Sequence, residues 1–239
     1  MYKLKRLCLA LLVVCLTMLG SVGALAAEND GNRVTVSANA VMEVAPDTAY
    51  LYFTVEGRGA KADDAVGQAA NKMEVVRRSL LGLNIVGENV STTNYSMDRS
   101  YDSKGRPDGY VVSNSVRVKV TDVSKVGDVI DRISGAGVDH ISNVSFTVSN
   151  KEVYSSQLLA QAVENGRQQA AVVANAGGRT LGTLLAATIY NVSGFERNIA
   201  NAGNMLLKAS ADMAASEATR IETQNIKLTA SVQTIFSLQ

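Results

Sequence analysis

Cysteine is almost absent from this sequence, and its two copies, Cys8 and Cys15, both stand near the N-terminus. They lie in a segment that has the pattern of a secretory signal peptide: basic residues, an apolar run over residues 7–19, and the A-x-A cleavage site Ala24-Leu25-Ala26. Cleavage near Ala26 or Ala27 removes both cysteines. We therefore predict that residues 1–27 are a signal peptide and that the mature chain has no disulfide and no thiolate chemistry.

Long apolar runs are also missing. The run over residues 7–19 is shorter than the roughly 20 residues that span a bilayer, so we predict no transmembrane segment in the mature chain. Neither Cys8 nor Cys15 follows the small residue that a lipid-attachment site requires, which argues against a lipoprotein. These patterns predict an exported protein of the periplasm or cell envelope, or an extracellular one.

The sequence has no block of basic residues. Once the signal peptide is removed, 20 of the 23 Lys and Arg residues remain against 22 Asp and Glu, a net charge of about −2. Nucleic acid is therefore excluded as an expected partner. Residues 28–239 are enough for one large domain or two small ones, with a substantial core.

Histidine occurs once, at His140, beside Asp139. A catalytic histidine needs an oriented nucleophile and a set of stabilising donors, and the sequence has no strand–G-x-S-x-G–helix context that supplies them. We interpret His140 as an ordinary turn residue and expect no enzymatic activity. A hydrolase that uses Ser with Lys would need neither His nor Cys, and it stays open as the alternative function.

Two groups of acidic residues were considered as sites. Asp98, Ser100 and Asp102 have the alternate spacing of a calcium loop, but the sixth and twelfth positions carry Ser and Gly in place of Gly and Glu. We expect a solvated hairpin tip there. Asp63 and Asp64 stand at the start of a predicted helix, where they complement the helix dipole. No metal site is predicted.

The remaining candidates also have structural explanations. Tyr50 and Tyr52 lie on the polar face of a predicted strand, where they either bind an aromatic ligand or pack across strands, and packing is the commoner case. Gly135-Ala136-Gly137 is a turn, because no G-x-x-x-x-G-K pattern surrounds it. The sequence therefore assigns no catalytic, cofactor-binding or metal-binding residue, and no cofactor.

Alternation of apolar and polar residues predicts seven strands, over residues 33–44, 48–58, 89–101, 110–120, 141–148, 183–192 and 225–238. The first two are joined by a short link and are interpreted as a hairpin. The third and fourth pair across a loop. Helical periodicity predicts helices over residues 61–81 and 152–176 and a short one after Thr121. The fold class is α+β, with largely antiparallel sheets, helices packed on one face, and two βαβ-like lobes.

The long helix over residues 152–176 has a narrow stripe of small side chains. At alternating steps of four and three, the stripe comprises Leu159, Val163, Gly166, Ala170, Val173 and Gly177. We expect this stripe to pack close to the sheet. The corresponding stripe of the earlier helix comprises Ala62, Val66, Ala69, Met73, Val76 and Leu80.

Residues 195–220 follow neither period. A stretch of this length without structure of its own is unusual within a compact domain. Its Met and Leu residues favour an adaptable apolar surface. We predict a mobile loop that becomes ordered through contacts between subunits or with a partner, and a short amphipathic helix is the alternative.

Several motifs, in this order, resemble the SIMPL-domain family. They are Ala45-Pro46-Asp47, Ser91-Thr92-Thr93-Asn94-Tyr95, Gly109-Tyr110, Ser113-Asn114, Phe146, the helix residues Ala162, Arg167, Ala170 and Ala174, and then Gly178 and Leu181-Gly182. The resemblance covers residues 33–238 as a single SIMPL region. The sequence departs from the family at Ala38, where many relatives have Gly, and over residues 195–220.

The resemblance implies an exported envelope protein, in a family that includes periplasmic immunogenic and oxidative-stress-defence proteins. It implies a homo-oligomer or an envelope protein partner, no cofactor, and no catalytic residue. It also implies an N-terminal lobe over residues 28–120 and a C-terminal lobe over residues 121–239. The resulting hypothesis is a non-enzymatic protein that acts by assembly or partner binding, in protection of the envelope under stress.

Overall fold

The computed structural model of this chain describes residues 30–200, 219, 221 and 223–239. The predicted signal peptide over residues 1–27 and residues 201–218 of the predicted loop lie outside the described residues. Among the helices of the described part, none is both long and apolar enough to cross a membrane.

Most strands and helices begin and end within a few residues of their predicted bounds. In chain order they are β1 Arg33–Val44, β2 Thr48–Gly59, α1 Ala62–Leu81, β3 Val90–Tyr101, β4 Pro107–Val120, α2 Val126–Gly135, β5 His140–Thr147, α3 Lys151–Ala176, β6 Leu181–Ser193, β7 Glu196–Ala200 and β8 Ile226–Leu238. The loop predicted over residues 195–220 is wrong at its start. Residues 196–200 form strand β7 and pair with β5.

The strands form two antiparallel sheets. The small sheet has the order β1-β8-β6, and the large sheet has the order β3-β4-β2-β5-β7. Helix α3 packs on β1 and β8 of the small sheet, and α1 packs on β2 and β4 of the large sheet. The α+β class with antiparallel sheets is confirmed.

The predicted hairpin of β1 and β2 is wrong. Strand β1 pairs along its whole length with β8, while β2 lies between β4 and β5 in the other sheet. In the link between them, the backbone N–H of Asp47 already donates to the carbonyl of Thr147 on β5. Tight hairpin turns favour Gly or Asn at positions with positive φ, and Ala45-Pro46-Asp47 has neither. The chain therefore passes directly from one sheet into the other.

Each sheet combines strands from both predicted lobes. Strand β1 belongs to the first lobe but pairs with β8, and β5 and β7 belong to the second but complete the large sheet. The boundary between residues 120 and 121 therefore differs from the division between the sheets. As a boundary between folding units it stays a prediction.

Helix α3 contacts its sheet along a different row from the predicted stripe. The buried residues are Leu158, Ala162, Gly166, Ala170 and Ala174. Gly166 and Ala170 were predicted correctly, but Val173 is 54% exposed, Gly177 is exposed, and Leu159 and Val163 are only half-buried. A row with strict steps of four turns about 40° around a helix of 3.6 residues per turn at each step. The helix therefore crosses the sheet obliquely, whereas the predicted stripe ran straight along it.

Helix α1 follows its predicted stripe more closely. Ala69, Met73, Val76 and Leu80 are buried as expected, while Ala65 replaces Val66, which is exposed. Close approach explains the shift, because a Cβ at Gly57 of β2 would lie 2.1 Å from the carbonyl oxygen of Ala65. The buried residues of both sheets then merge into one apolar core, in which Leu51, Phe53 and Phe146 are among the largest side chains.

Candidate functional site

His140 begins β5, is exposed, and lies opposite Thr54 in the ladder. Its neighbour Asp139 is engaged elsewhere. The Asp139 carboxylate accepts the backbone N–H of Glu56 at 2.6 Å and binds the Lys72 ammonium at 2.8 Å. Asp139 thus ties the start of β5 to β2 and α1, which is a structural role.

Asp98, Ser100 and Asp102, which have the spacing of a calcium loop, lead into the tip of the β3–β4 hairpin, as expected. Asp102 accepts the backbone N–H groups of Lys104 and Arg106, at 2.8 and 2.9 Å, and the Arg106 side chain. These bonds from Arg106 and Lys104 hold the pKa of the Asp102 carboxyl below its usual value. Across the described residues, no three His, Cys, Asp or Glu side chains come together in a way that could hold a metal ion.

The other candidates take up structural positions. Asp63 and Asp64 occupy the first turn of α1. Gly137 follows α2 with a φ of +88°, a conformation that favours glycine and marks a turn. Both interpretations from the sequence agree with these positions.

Tyr50 and Tyr52 lie on the face of the large sheet opposite α1. Strand β2 does not pair with β1, because the predicted hairpin does not form. Instead, the guanidinium of Arg117 on β4 lies 5.2 Å from the centre of the Tyr50 ring. For Tyr50 the contact across strands is therefore with an arginine, whereas the interpretation of Tyr52 stays a prediction.

Sequence reasoning missed a group of exposed apolar side chains on edge strand β6. We define the β6 patch as Leu184, Leu185, Ile189 and Tyr190, which are 45%, 57%, 58% and 60% exposed. Strand β6 pairs with β8 on one side only, and α3 lies mainly over β1 and β8. Among the described residues, therefore, no strand or helix covers the patch.

An open groove of about 610 Å³ separates α3 from β6 next to the patch. Leu159, Val163, Leu184 and Phe236 are among the residues that line it. At the same groove, the Arg167 guanidinium lies 3.2 Å from the Glu164 carboxylate. Hydrogen bonds from Arg167 and Gln168 hold the pKa of Glu164 below its usual value. The groove is thus apolar, with one charge of each sign beside it.

Strand β6 is irregular as well as exposed. Its register against β8 shifts between Leu181 and Leu184, between Leu184 and Ala186, and between Ile189 and Asn191. Such bulges bend and twist an edge strand and hinder the addition of a further strand. Contact with another molecule at this edge therefore depends on side chains more than on backbone hydrogen bonds.

A signal for this patch was present in the sequence. Leu184-Leu185 and Ile189-Tyr190 are neighbouring apolar pairs, and adjacent residues of a regular strand point to opposite faces. Such a pair within a strand that has one buried face places an apolar side chain on the exposed face or at a bulge. Both pairs lie where the register shifts.

Comparison with known proteins gives relatives along nearly the whole chain. The uncharacterized protein YggE of Edwardsiella ictaluri is 27% identical over 238 residues, which cover 95% of this chain and 98% of the relative. YggE of Escherichia coli K12 is 28% identical over 192 residues, 77% of each chain. A 26 kDa periplasmic immunogenic protein of Brucella melitensis is 24% identical over 161 residues, 64% of each chain.

The SIMPL family profile, described as a protein of unknown function (DUF541), matches residues 34–236. These bounds agree with the region over residues 33–238 expected from the sequence motifs. Because the match spans both sheets and all three α-helices of the described residues, the chain belongs to the SIMPL family.

Proposed function

We propose that this protein is exported to the periplasm or cell envelope and acts there without catalysis, by assembling with copies of itself through the β6 patch. The family resemblance adds protection of the envelope under stress as the setting of that assembly. Export is supported by the signal-peptide pattern of residues 1–27 and by the name of the periplasmic relative from Brucella melitensis. The named relatives above carry no enzymatic description.

The exposed apolar side chains of β6 carry the proposal. The other edge of the same sheet, β1, presents mainly polar residues on its outward face: Thr35, Ser37, Asn39 and Glu43, with Val41 between them. An edge strand whose outward side chains are mainly polar is ordinary on a surface that faces water. Strand β6 instead exposes four large apolar side chains close together in sequence, and a concentration of exposed apolar side chains of this kind favours an interaction site.

A second copy fits this surface better than a charged partner does. In a two-fold contact the same patch lies on both sides, so an uncharged apolar surface is complementary to itself. The Glu164–Arg167 pair beside the groove has the same property, since Glu164 of one copy can approach Arg167 of the other. The bulges in β6 direct the contact through side chains.

The first prediction is that Ile189→Lys weakens assembly. A charge placed in the β6 patch would have to be desolvated at the contact, so we expect light scattering to report a smaller species than for the wild type. Val41→Lys is the matched control, because Val41 is 55% exposed on edge strand β1, against 58% for Ile189. We expect it to keep the wild-type mass.

Thermal melts of both variants separate assembly from folding. A wild-type protein that is monomeric at all accessible concentrations would refute the proposal. If light scattering reports the same smaller species for both variants, the contact between copies lies outside the β6 patch.

A further inference from the structure

The outer face of the large sheet, opposite α1, carries a second surface, made of residues other than those of the β6 patch. Ladder partners on adjacent antiparallel strands share a face, so the register places these side chains together. Tyr50 lies opposite Lys119 on β4 and Ser145 on β5, and Tyr52 lies opposite Arg117 and Asn143. We call these six residues the tyrosine face.

Positive charge on the tyrosine face is unbalanced. In the described part of the chain, no ion pair involves Arg117 or Lys119. Arg117 instead lies over the Tyr50 ring, which leaves its guanidinium available to an anion. A guanidinium matches a carboxylate with two parallel hydrogen bonds, and the Lys119 ammonium adds a second charge one ladder step away.

The opposite side of the tyrosine face contains polar atoms without partners. Asn143 donates its amide to the Asn198 side chain at 3.3 Å, but its Oδ1 accepts no hydrogen bond in the described structure. Ser145 is only 3% exposed, and its Oγ also lacks a partner. Buried polar groups are normally hydrogen-bonded, so these atoms call for donors that the described chain does not supply. A ligand reaches them only if the surrounding side chains shift.

Tyr50 and Tyr52 lie between the cationic residues of β4 and the polar residues of β5. Both are half-buried on β2, the central strand of the large sheet, so their rings form a fixed platform. Neighbouring strands lie about 4.8 Å apart, so the distance from β4 to β5 is about 10 Å. Tyrosine rings offer an apolar surface together with a hydroxyl group, which suits a ligand that has both characters.

We propose that the tyrosine face binds an acidic saccharide. The carboxylate would lie at Arg117 and Lys119, the C–H surface of a sugar ring would stack on the tyrosines, and sugar hydroxyl groups would donate to Asn143 Oδ1. An aromatic acid satisfies only the first two requirements. A neutral sugar satisfies only the last two.

Calorimetric titration with two trisaccharides tests this proposal. The probes are α-1,4-linked trigalacturonate and α-1,4-linked galactotriose, which have the same rings and linkage and differ by carboxylate against hydroxymethyl groups. We expect the wild-type protein to bind trigalacturonate at least tenfold more tightly than galactotriose. The affinity should fall as salt is added.

An arginine variant within the tyrosine face and a matched arginine variant outside it test the carboxylate contact. Arg99 lies 5.7 Å from the ring of Tyr110 in a similar stack, and these two residues oppose each other on the α1 side of the same sheet. Arg117→Gln should weaken trigalacturonate binding at least tenfold, while Arg99→Gln should change it less than twofold. Both variants should keep the wild-type thermal melt.

Three results would overturn the proposal: no binding of trigalacturonate by the wild type, equal affinity for the two trisaccharides, or equal weakening by the two arginine variants. If Arg117→Gln fails to fold, Arg117→Lys keeps the charge but loses the paired hydrogen bonds, and it should still weaken binding severalfold. Wild-type affinity in Arg117→Lys would count against the carboxylate contact.

Discussion

Helix α3 lies close to the small sheet at Gly166. A Cβ at this position would lie 2.7 Å from the hydroxyl oxygen of Thr234 and 3.5 Å from the Cβ of Ala38. Thr234 is fully buried, and its Oγ1 has no hydrogen-bond partner. The glycine therefore allows α3 to approach β8, and the approach seals a hydroxyl group away from water.

We predict that Gly166→Ala destabilises the fold in spite of the better helix propensity of alanine. The higher helix propensity of alanine should raise the free energy of unfolding by about 1 kcal/mol, but overpacking should lower it by about 1–3 kcal/mol. Urea melts measure the change. In a Thr234→Ala background the added methyl group has room, so the cost of Gly166→Ala should disappear there.

This double-mutant cycle isolates the contact between residues 166 and 234. A cost of Gly166→Ala that is the same in both backgrounds would mean that another neighbour, such as Ala38, resists the added methyl group. An unchanged midpoint in the single variant would mean that α3 moves freely away from the sheet.

At the passage between the two sheets, Asp47 accepts three hydrogen bonds. They come from the backbone N–H and the hydroxyl of Ser149, both at 2.7 Å, and from the hydroxyl of Thr48 at 2.9 Å. Partial burial raises the pKa of this carboxyl, but the hydrogen bonds from Ser149 and Thr48 outweigh it, so the pKa lies below its usual value.

A lowered pKa makes Asp47 a source of stability at neutral pH. This contribution is fully present above the ordinary pKa of an aspartate, about 3.9, and it is lost as the pH falls through the lower folded value. We predict that Asp47→Asn lowers the free energy of unfolding at pH 7, measured by urea melts, by under about 1 kcal/mol, because the group is exposed. The difference from the wild type should shrink as the pH falls into the acid range. A difference that does not change with pH would contradict this role of Asp47.

At the scale of elements, periodicity predicted most strands and helices but not their partners. Alternation in β1 shows which face is buried, and the same pattern satisfies pairing with either β2 or β8. Strand β7 was missed because its five residues contain a single large apolar side chain, Ile199, so no alternation is visible. Partner choice depends on residues that lie far apart in the sequence.

Helical periodicity predicted helix α3 correctly, but it predicted the wrong row of buried residues on that helix. Steps of four and three describe a helix that runs straight along its sheet, and α3 crosses the sheet obliquely. The crossing angle depends on both surfaces, so one helix sequence does not determine it. In α1, larger side chains such as Met73 and Leu80 fixed the phase.

At the scale of the molecule, the sequence contained a signal for the β6 patch in its apolar pairs, but it did not show how far the patch is exposed, and it contained no signal for the tyrosine face as a whole. The β6 patch depends on how much of β6 the helix α3 covers. The tyrosine face combines residues of β2, β4 and β5, and Tyr52, Arg117 and Asn143 become neighbours only through the register of three strands. The family, by contrast, was recognisable from ordered motifs along the chain.

The pairing of β1 with β8 sets the order in which this protein can fold. Thr35 pairs with Ile235, about 200 positions later, whereas the β3–β4 hairpin joins neighbouring strands. Contacts between distant residues form slowly, since loop closure precedes their stabilisation. We predict that pulsed hydrogen exchange during refolding protects the amides of β3 and β4 before those of β1 and β8. Simultaneous protection would contradict this order.

In an exported chain the same pairing has a consequence for translocation. A chain that crosses the membrane N-terminus first delivers β1 at the beginning and β8 at the end. Throughout the interval, the backbone donors and acceptors of β1 have no native partner on either side, because β1 is an edge strand whose single neighbour is the last strand. The small sheet therefore closes only after β8 has crossed, and until then β1 is open to pairing with another emerging chain.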